Sequence, residues 1–178
     1  LRHAFAGASQ VLIVSAATTG ESALRQHRTA IEAARAAGAR RILYTSHMGA
    51  RPDSAFAPMP DHAVTEAVLQ AAGVAFTALR NGFYADSALL LMGQALTTGR
   101  LVAPDDGPVS WTAHADLAEA AAIALTDEGR LDGLTPPLTG TEALSLADLA
   151  ALASELTGRP ITRVTVRDEE YRADLIAR

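Results

Sequence analysis

The chain has 178 residues, of which 49% are hydrophobic, and this is enough for one domain with a sizeable buried core. Its formal net charge of -5 argues against nucleic acid as a partner, and the absence of cysteine excludes disulfides, thiolate catalysis and zinc bound through cysteine. Lysine is also absent, which excludes Schiff-base chemistry, and no metal site is expected. Since no signal-peptide pattern or long apolar run is visible, we expect a cytoplasmic protein that does not interact with membranes.

Two strand-helix-strand units are predicted in the first half of the chain. Three short apolar runs are typical of strands buried on both faces of a sheet: residues 10–15 (QVLIVS), 41–46 (RILYTS) and 74–79 (VAFTAL). Helical spacing between the first two runs predicts a helix with His27 as a hydrogen-bonded histidine on its apolar face. Right-handed crossovers make the strands parallel, so Leu12, Ile42 and Phe76 are expected to be neighbours in the core.

The second helix is predicted to follow a proline-rich loop, with Asp61 as its N-cap. Its apolar stripe is expected to consist of Val64, Val68, Ala71 and Ala72. On this interpretation, His62, Glu66 and Gln70 share a different stripe, away from the apolar one. A third helix is predicted over residues 84–98.

The second half of the chain changes character. A loop over residues 99–108 precedes a helix that starts near His114, and Ser145 with Asp148 makes a capping-box-like start to a further helix. A final strand is predicted over residues 161–166. We find no internal repeat or linker that would split the chain, so one compact body is expected.

Several motifs follow one another in a characteristic order: QHRTAIEAARAAGARRILYTS, H-x-x-x-E-x-x-L-x-x-A-G-V, T-A-L-R-N-G-F-Y, H-A-D-L-A and L-T-G-T-E-A-L-S-L-A-D-L-A-x-L-x-S-E-L-T-G-R-P. Together they resemble the NmrA-like group of atypical short-chain dehydrogenases, and within it the bacterial NAD(P)H:quinone oxidoreductases of type 2. The resemblance implies an α/β fold with a Rossmann-like, doubly wound parallel sheet. Residues 1–112 would form the NAD(P)-binding core, and residues 113–178 a small α/β substrate-side portion of the same compact body.

The family begins with a G-x-x-G-x-x-G turn and two further strands that this sequence does not show. We therefore expect a partial sheet that lacks the glycine-rich βαβ unit, and a chain that is truncated at both ends relative to the family.

Weak binding of NADPH to residues 1–178 alone is the expected result, because helix N-terminal amides and glycine backbone provide much of a pyrophosphate site. Titration calorimetry should show little or no heat of binding. Sub-micromolar affinity would show that the glycine-rich turn is not needed.

The resemblance also implies a function. It indicates hydride transfer from NAD(P)H, with NADPH favoured over NADH, to a quinone-like small molecule, and it allows a homodimer. Two alternatives stay open: a non-catalytic NmrA-like protein that senses NAD(P) and regulates a protein partner, and an inactive fragment.

Ligands bind at the carboxyl ends of the strands in an open parallel sheet, and this selects the candidate site residues. Thr18, Thr19 and Gly20 follow the first strand, and the resemblance implies that they lie along the cofactor. Small polar residues in this position also fit an ordinary capped turn. Thr45 and Ser46 end the second strand, where the resemblance implies contact with the nicotinamide half of the cofactor. Alternatively, Ser46 caps the loop.

His62 is a candidate catalytic residue, because it occupies the place where related isoflavone-reductase-like proteins carry a catalytic lysine. An imidazole exchanges a proton near neutral pH, so His62 could protonate a reduced quinone oxygen. The alternative is an exposed histidine that is only solvated. The proton-donor pair of short-chain dehydrogenases, Tyr followed four residues later by Lys, cannot be assembled, since Met48 follows Tyr44 at that spacing. Tyr44 equally fits a residue packed in the core.

The R-N-G-F-Y motif after the third strand is the other candidate. Its glycine, Gly82, is expected to have a positive φ that lets the backbone approach a ligand. The resemblance implies that Gly82, Phe83, Tyr84, Asp86 and Ser87 surround the nicotinamide and the quinone. Phe83 and Tyr84 could stack on a flat ring, which makes Tyr84 a second candidate catalytic residue. The alternative is that both aromatic side chains pack into the core.

Overall fold

A computed structural model describes residues 1–177 of the chain, which form two compact units. The first consists of Leu1–Gly82 and Ala115–Leu138, and the second of Phe83–His114 together with the chain from Thr139 onwards. Each unit is assembled from two separate stretches of the chain. The predicted division of roles between residues 1–112 and 113–178 stays a prediction. Within residues 1–177, none of the helices has the length and apolar character that a membrane span requires.

In chain order, the elements are β1 (Gln10–Ile13), α1 (Glu21–Ala36), β2 (Arg41–His47), α2 (Pro58–Ala71), β3 (Ala75–Asn81), α3 (Ala85–Met92), α4 (Ala95–Thr98), β4 (Arg100–Ala103), α5 (His114–Thr126), β5 (Gly133–Leu134), α6 (Leu146–Thr157), β6 (Thr162–Thr165) and α7 (Asp168–Ala177).

A parallel sheet in the order β1-β2-β3-β5 forms the centre of the first unit. The predicted α/β fold with parallel strands is therefore confirmed. One predicted neighbour is wrong, however: Ile42 pairs with Phe76 and Val11, whereas Leu12 pairs with Leu43. Because side chains alternate between the faces of a strand, Leu12 lies on the opposite face of the sheet from Ile42.

Helices cover both faces of this sheet, as expected of a doubly wound fold. On one face, Ile31 of α1 and Leu69 of α2 belong to the same buried cluster as Ile42. On the other face, Ala124 of α5 packs with Leu43. Full burial of each larger aliphatic side chain stabilises the fold by about 1.5–3 kcal/mol.

The amino-terminal edge of the sheet is held by a buried arginine, Arg41. Its guanidinium donates to the Thr77 hydroxyl and the Asp132 carboxylate, both at 2.6 Å, and to the Ala124 carbonyl oxygen. This network lies at the opposite end of the strands from the predicted ligand edge.

Helix α2 differs from its prediction in both its start and its buried face. It begins at Pro58, so Asp61 is not its N-cap, and the Asp61 carboxylate instead accepts a hydrogen bond from the Gly20 N–H at 2.6 Å. The buried residues of the helix are Met59, Thr65, Glu66 and Leu69. The predicted stripe is confirmed only in part: Ala72 is buried and Val68 packs against the core, whereas Ala71 is exposed. Two of the four buried helix residues are polar, and hydrogen bonds to other elements keep them inside.

The second unit contains the parallel strand pair β4 and β6. The helix predicted over residues 84–98 is interrupted at Gly93, which has φ 47° and ends α3 before α4 begins. Ser145 and Asp148 form the predicted capping box of α6. Side chains from α3, α4, β4 and α6 share a small buried cluster: Met92, Ala95, Leu101, Ala150 and, just before β6, Ile161.

Candidate active site

Side chains from three elements hold the loop that follows β1. They accept hydrogen bonds from its backbone: Ser15 N–H to Thr45 Oγ1 (2.8 Å), Ala16 N–H to His27 Nε2 (2.9 Å) and Gly20 N–H to Asp61 Oδ2 (2.6 Å). Gly20 adopts φ 68°, a conformation that glycine accepts without strain. Thr18 and Thr19 lie in this loop and are exposed. The loop is therefore fixed at both ends, while its two threonines are exposed and Thr18 Oγ1 accepts a long hydrogen bond (3.4 Å) from Gln26 Nε2.

His27 is a hydrogen-bonded core histidine, as predicted. Its Nε2 accepts from the Ala16 N–H, and its Nδ1 lies 2.9 Å from Thr65 Oγ1. The Thr65 hydroxyl donates to the Asp61 carbonyl oxygen at 2.8 Å, so the proton of the neutral imidazole must be on Nδ1. Burial lowers the pKa of His27, against a smaller opposing effect of the Asp61 charge.

His62 is half-buried rather than freely exposed. Its Nδ1 lies 2.8 Å from the hydroxyl of Tyr44, a tyrosine that is completely buried. Burial, followed by the charges of His47 and His27, lowers the pKa of His62 from 6.5 to about 4. The imidazole is therefore neutral at neutral pH, when it donates a hydrogen bond more readily than a proton. Within residues 1–177, Nε2 of His62 makes no hydrogen bond.

Acid should destabilise the fold through these histidines. Folding keeps His62 neutral at pH values where the unfolded chain, with a pKa near 6.5, takes up a proton. The unfolded state then binds more protons, so the free energy of unfolding falls as the pH falls from 6.5 towards 4. The slope is at most about 1.4 kcal/mol per pH unit for each such histidine. Burial lowers the pKa of His27 and His47 as well, which adds to the effect.

Urea denaturation at pH 7 and pH 5 measures this loss. The His62→Gln variant should lose less stability than the wild type between the two pH values. If the variant and the wild type lose the same free energy of unfolding between pH 7 and pH 5, His62 titrates normally in the folded protein.

Glu66 in the middle of α2 is buried, although it was predicted to lie away from the apolar stripe, and it forms an ion pair with Arg80 near the end of β3. Arg80 Nε donates to Oε1 at 2.9 Å and Nη2 to Oε2 at 2.7 Å, and this bonding raises the pKa of Arg80. The Ser46 hydroxyl donates to the same carboxylate at 2.7 Å. Ser46 and Thr45, both predicted to contact the cofactor, thus already have protein partners for their hydroxyl groups.

After β3 ends at Asn81, residues 82–83 form neither a strand nor a turn. Gly82 is not among the glycines with positive φ, and its N–H donates to the Leu138 carbonyl oxygen at 2.8 Å. The predicted positive φ is therefore wrong, and the hydrogen bond to Leu138 fixes the backbone at this point. Just before it, Asn81 is 5% exposed, and its Oδ1 has no hydrogen-bond partner among residues 1–177.

In the second unit, Tyr84 and Asp86 both contact His114. The rings of Tyr84 and His114 are tilted against each other with centroids 4.4 Å apart, and His114 Nδ1 is hydrogen-bonded to the Asp86 carboxylate. His114 starts α5, as predicted, but the sequence did not indicate that it meets Tyr84 and Asp86. A carboxylate that binds one ring nitrogen orients the imidazole, which in turn supports one face of the tyrosine ring.

Phe83 is half-buried with its ring edge-on to Trp111 at 6.3 Å, and Ser87 is half-buried in the first turn of α3. The predicted site residues divide between the units. The first unit contains Thr18, Thr19, Gly20, Thr45, Ser46, His62 and Gly82, and the second contains Phe83, Tyr84, Asp86 and Ser87.

Residues 1–128 match a protein family described as NAD(P)H-binding. The chain belongs to this family. Quinone oxidoreductase 2 of Escherichia coli strain K12 is 34% identical over 176 residues, which are 98% of this chain and 60% of that protein. The NAD(P)H azoreductase of Xenophilus azovorans is 31% identical over 97% of this chain and 59% of its own length.

A solved structure gives the same picture of the fold. The chain superimposes on the NADPH complex of the NADPH-dependent quinone oxidoreductase QOR2 from Escherichia coli with a TM-score of 0.88 and 32% identity, covering 99% of this chain and 62% of that one. The predicted resemblance is confirmed. The chain spans about 60% of the length of the curated relatives it matches.

The residues at the carboxyl edge of the sheet fit the nicotinamide cofactor of this family. The buried Asn81 Oδ1 is an acceptor without a partner in residues 1–177, and a carboxamide N–H would satisfy it. Thr18 and Thr19 offer exposed hydroxyl groups on the same side of the sheet. These groups would hold a polar, uncharged part of a cofactor.

Proposed function

We propose that the protein is an NAD(P)H-dependent oxidoreductase that transfers a hydride to quinones or to similar electron-poor acceptors. The observation that carries this proposal is the family match, together with similarity along nearly the whole chain to proteins named quinone oxidoreductase and azoreductase. Quinones and azo compounds share a flat conjugated system that accepts two electrons, which is the chemistry expected of the substrate.

The cofactor would supply the hydride from its nicotinamide ring. The chain's own task is then to bind and orient it. We assign this task to Thr18, Thr19 and Gly20 along the loop after β1, and to Asn81 as the partner of a carboxamide group. Thr45 and Ser46 act in the same place by fixing the end of β2, since their hydroxyls bind the neighbouring loop and the Glu66 carboxylate.

Binding of the acceptor is assigned to Tyr84 and Phe83, and His62 stays a separate candidate catalytic residue. The two aromatic rings offer flat surfaces against which a quinone can stack. Asp86 and Ser87 support this segment, Asp86 through its hydrogen bond to His114. The neutral His62 donates a hydrogen bond through Nε2, while water supplies the proton that the reduced acceptor takes up.

Finer features of the proposal rest mainly on the sequence and its family resemblance. They are a preference for NADPH, a cytoplasmic location, a homodimer, and a nucleotide-binding role for residues 1–112 with a substrate-side role for residues 113–178. The NADPH complex of the E. coli relative favours the first of these.

The test is a steady-state assay of NADPH and NADH oxidation with benzoquinone, menadione and an azo dye, on the protein as its gene encodes it. We expect oxidation that depends on both enzyme and acceptor and is faster with NADPH. Tight NADPH binding without turnover of any acceptor would contradict the proposal and favour a nucleotide-sensing regulator. Neither binding nor turnover would favour an inactive fragment.

A further inference from the structure

The contact between Tyr44 and His62 joins a buried group to a group that reaches the surface. Tyr44 is 0% exposed and comes from the middle of β2, whereas His62 lies in the second turn of α2 and is half-buried. Their 2.8 Å contact involves only Nδ1 of the imidazole. Nε2, on the other side of the ring, has no hydrogen bond within the described part of the chain. This atom is not fully buried, so it can reach a partner outside the chain.

A neutral imidazole carries one proton, so the direction of this hydrogen bond decides what the other nitrogen offers. A phenol is the stronger acid of the two groups and the imidazole nitrogen the stronger base, so the O–H···N arrangement is preferred over N–H···O. Nδ1 then accepts, and the single proton must be on Nε2.

We propose that Tyr44 is a positioning residue, which donates its hydroxyl proton to His62 Nδ1 and thereby fixes His62 as the Nε2–H tautomer. The ring contact, with centroids 5.8 Å apart, restricts the rotation of the imidazole as well. Tyr44 therefore directs one N–H donor of His62 away from the core. It acts through His62 and does not itself touch a ligand.

The neighbouring histidine provides an internal reference. His27 also contacts the Tyr44 ring, with centroids 5.1 Å apart, but its Nε2 accepts from the Ala16 N–H. Its proton must therefore be on Nδ1. The structure assigns opposite tautomers to two neutral histidines that both contact the ring of Tyr44.

The ligand of the Nε2–H group is the carbonyl oxygen of the electron acceptor. This last step rests on the proposed function, whereas the tautomer of His62 does not. The carbonyl oxygen of the acceptor gains electron density when the acceptor receives a hydride. A hydrogen bond donated to that oxygen therefore stabilises the transition state more than the ground state.

Long-range ¹H–¹⁵N NMR on ring-labelled protein without ligand distinguishes the tautomers directly. We expect His62 as Nε2–H and His27 as Nδ1–H at pH 7.5, with His62→Gln identifying the His62 signals. Tyr44→Phe should shift the His62 ring nitrogens towards a mixture of tautomers. The matched control is Thr65→Val, which removes the hydroxyl beside His27 Nδ1 and should change His27 only.

A wild-type His62 in the Nδ1–H form would overturn the proposal, as would a Tyr44→Phe variant with unchanged His62 signals. In the assay, Tyr44→Phe should lower kcat/KM for the quinone by about 5- to 10-fold, the effect of one hydrogen bond, with Thr65→Val near wild type. If the tautomer shifts but kcat/KM does not, the step from His62 to the acceptor is wrong. A fixed tautomer without any turnover would contradict the proposed function and leave the role of Tyr44 intact.

Discussion

Replacing Tyr84 by alanine should reduce quinone reduction more than replacing His62. We expect Tyr84→Ala to lower kcat/KM by about 100-fold, because hydride transfer depends on the alignment of two rings and a misplacement of about 1 Å has an effect of this size. His62→Ala should cost about 10-fold or less, since it removes one hydrogen-bond donor and water still supplies the proton. Steady-state kinetics on the protein as encoded by its gene would compare the two variants.

Two matched variants separate the tyrosine ring from its surroundings. Tyr84→Phe keeps the ring and should stay close to wild type. His114→Gln removes the imidazole that packs at 4.4 Å from the Tyr84 ring, and it should have an intermediate effect if the ring must be held in place. Loss of several orders of magnitude in His62→Ala, with Tyr84→Ala near wild type, would show that the site assignment is wrong and that acid-base chemistry at His62 dominates.

Removing Arg80 should have the largest effect on stability. The Glu66 side chain is only 5% exposed, so Arg80→Met leaves a buried carboxylate that has lost two hydrogen bonds and its counter-charge. Breaking a buried ion pair from one side costs about 3–5 kcal/mol. Urea denaturation at neutral pH would measure this loss as a lower midpoint.

The matched control is an arginine-to-methionine substitution in an ion pair that is exposed to solvent. Arg51 pairs with Asp53 where the two side chains are 66% and 81% exposed, and Arg51→Met should change the free energy of unfolding by less than about 0.5 kcal/mol. The double variant Glu66→Gln/Arg80→Met should recover part of the loss, because no charge stays buried. Equal effects of Arg80→Met and Arg51→Met would contradict a structural role for the Glu66–Arg80 pair.

The central strands and their parallel order could be predicted because strands buried on both faces appear as continuous apolar runs. The same property means that the sequence does not determine the register between neighbouring strands. In the run from Gln10 to Ser15, every position is acceptable to a buried face, so nothing in the sequence decides whether Val11 or Leu12 lies beside Ile42.

The polar part of the site was harder to predict, because partners distant in sequence determine it. Helical spacing placed Glu66 on a stripe away from the apolar one, yet Arg80 and Ser46 pair with it inside the protein. Similarly, His62 is half-buried because it is hydrogen-bonded to the hydroxyl of the buried Tyr44. Helical periodicity identifies a buried face by its apolar residues and therefore fails where hydrogen bonds make burial of polar groups favourable.

The prediction of a positive φ at Gly82 failed for a different reason. An Asn-Gly pair commonly indicates a positive φ, but the backbone of this glycine is bonded to Leu138, more than fifty positions later. A hydrogen bond to a distant segment, which the sequence does not reveal, outweighs the local turn preference.

The hydrogen bond between Asp61 and Gly20 determines the electrostatic character of the loop after β1. Helix α1 begins directly after Gly20 and has sixteen residues, so the partial positive charge of its first amides is concentrated there. A carboxylate 2.6 Å from the Gly20 nitrogen offsets that charge and creates a locally negative potential. Phosphate oxygens are repelled at such a place, whereas the O–H groups of a sugar are attracted as donors. We therefore expect the part of a dinucleotide beside residues 18–20 to be a ribose rather than the pyrophosphate.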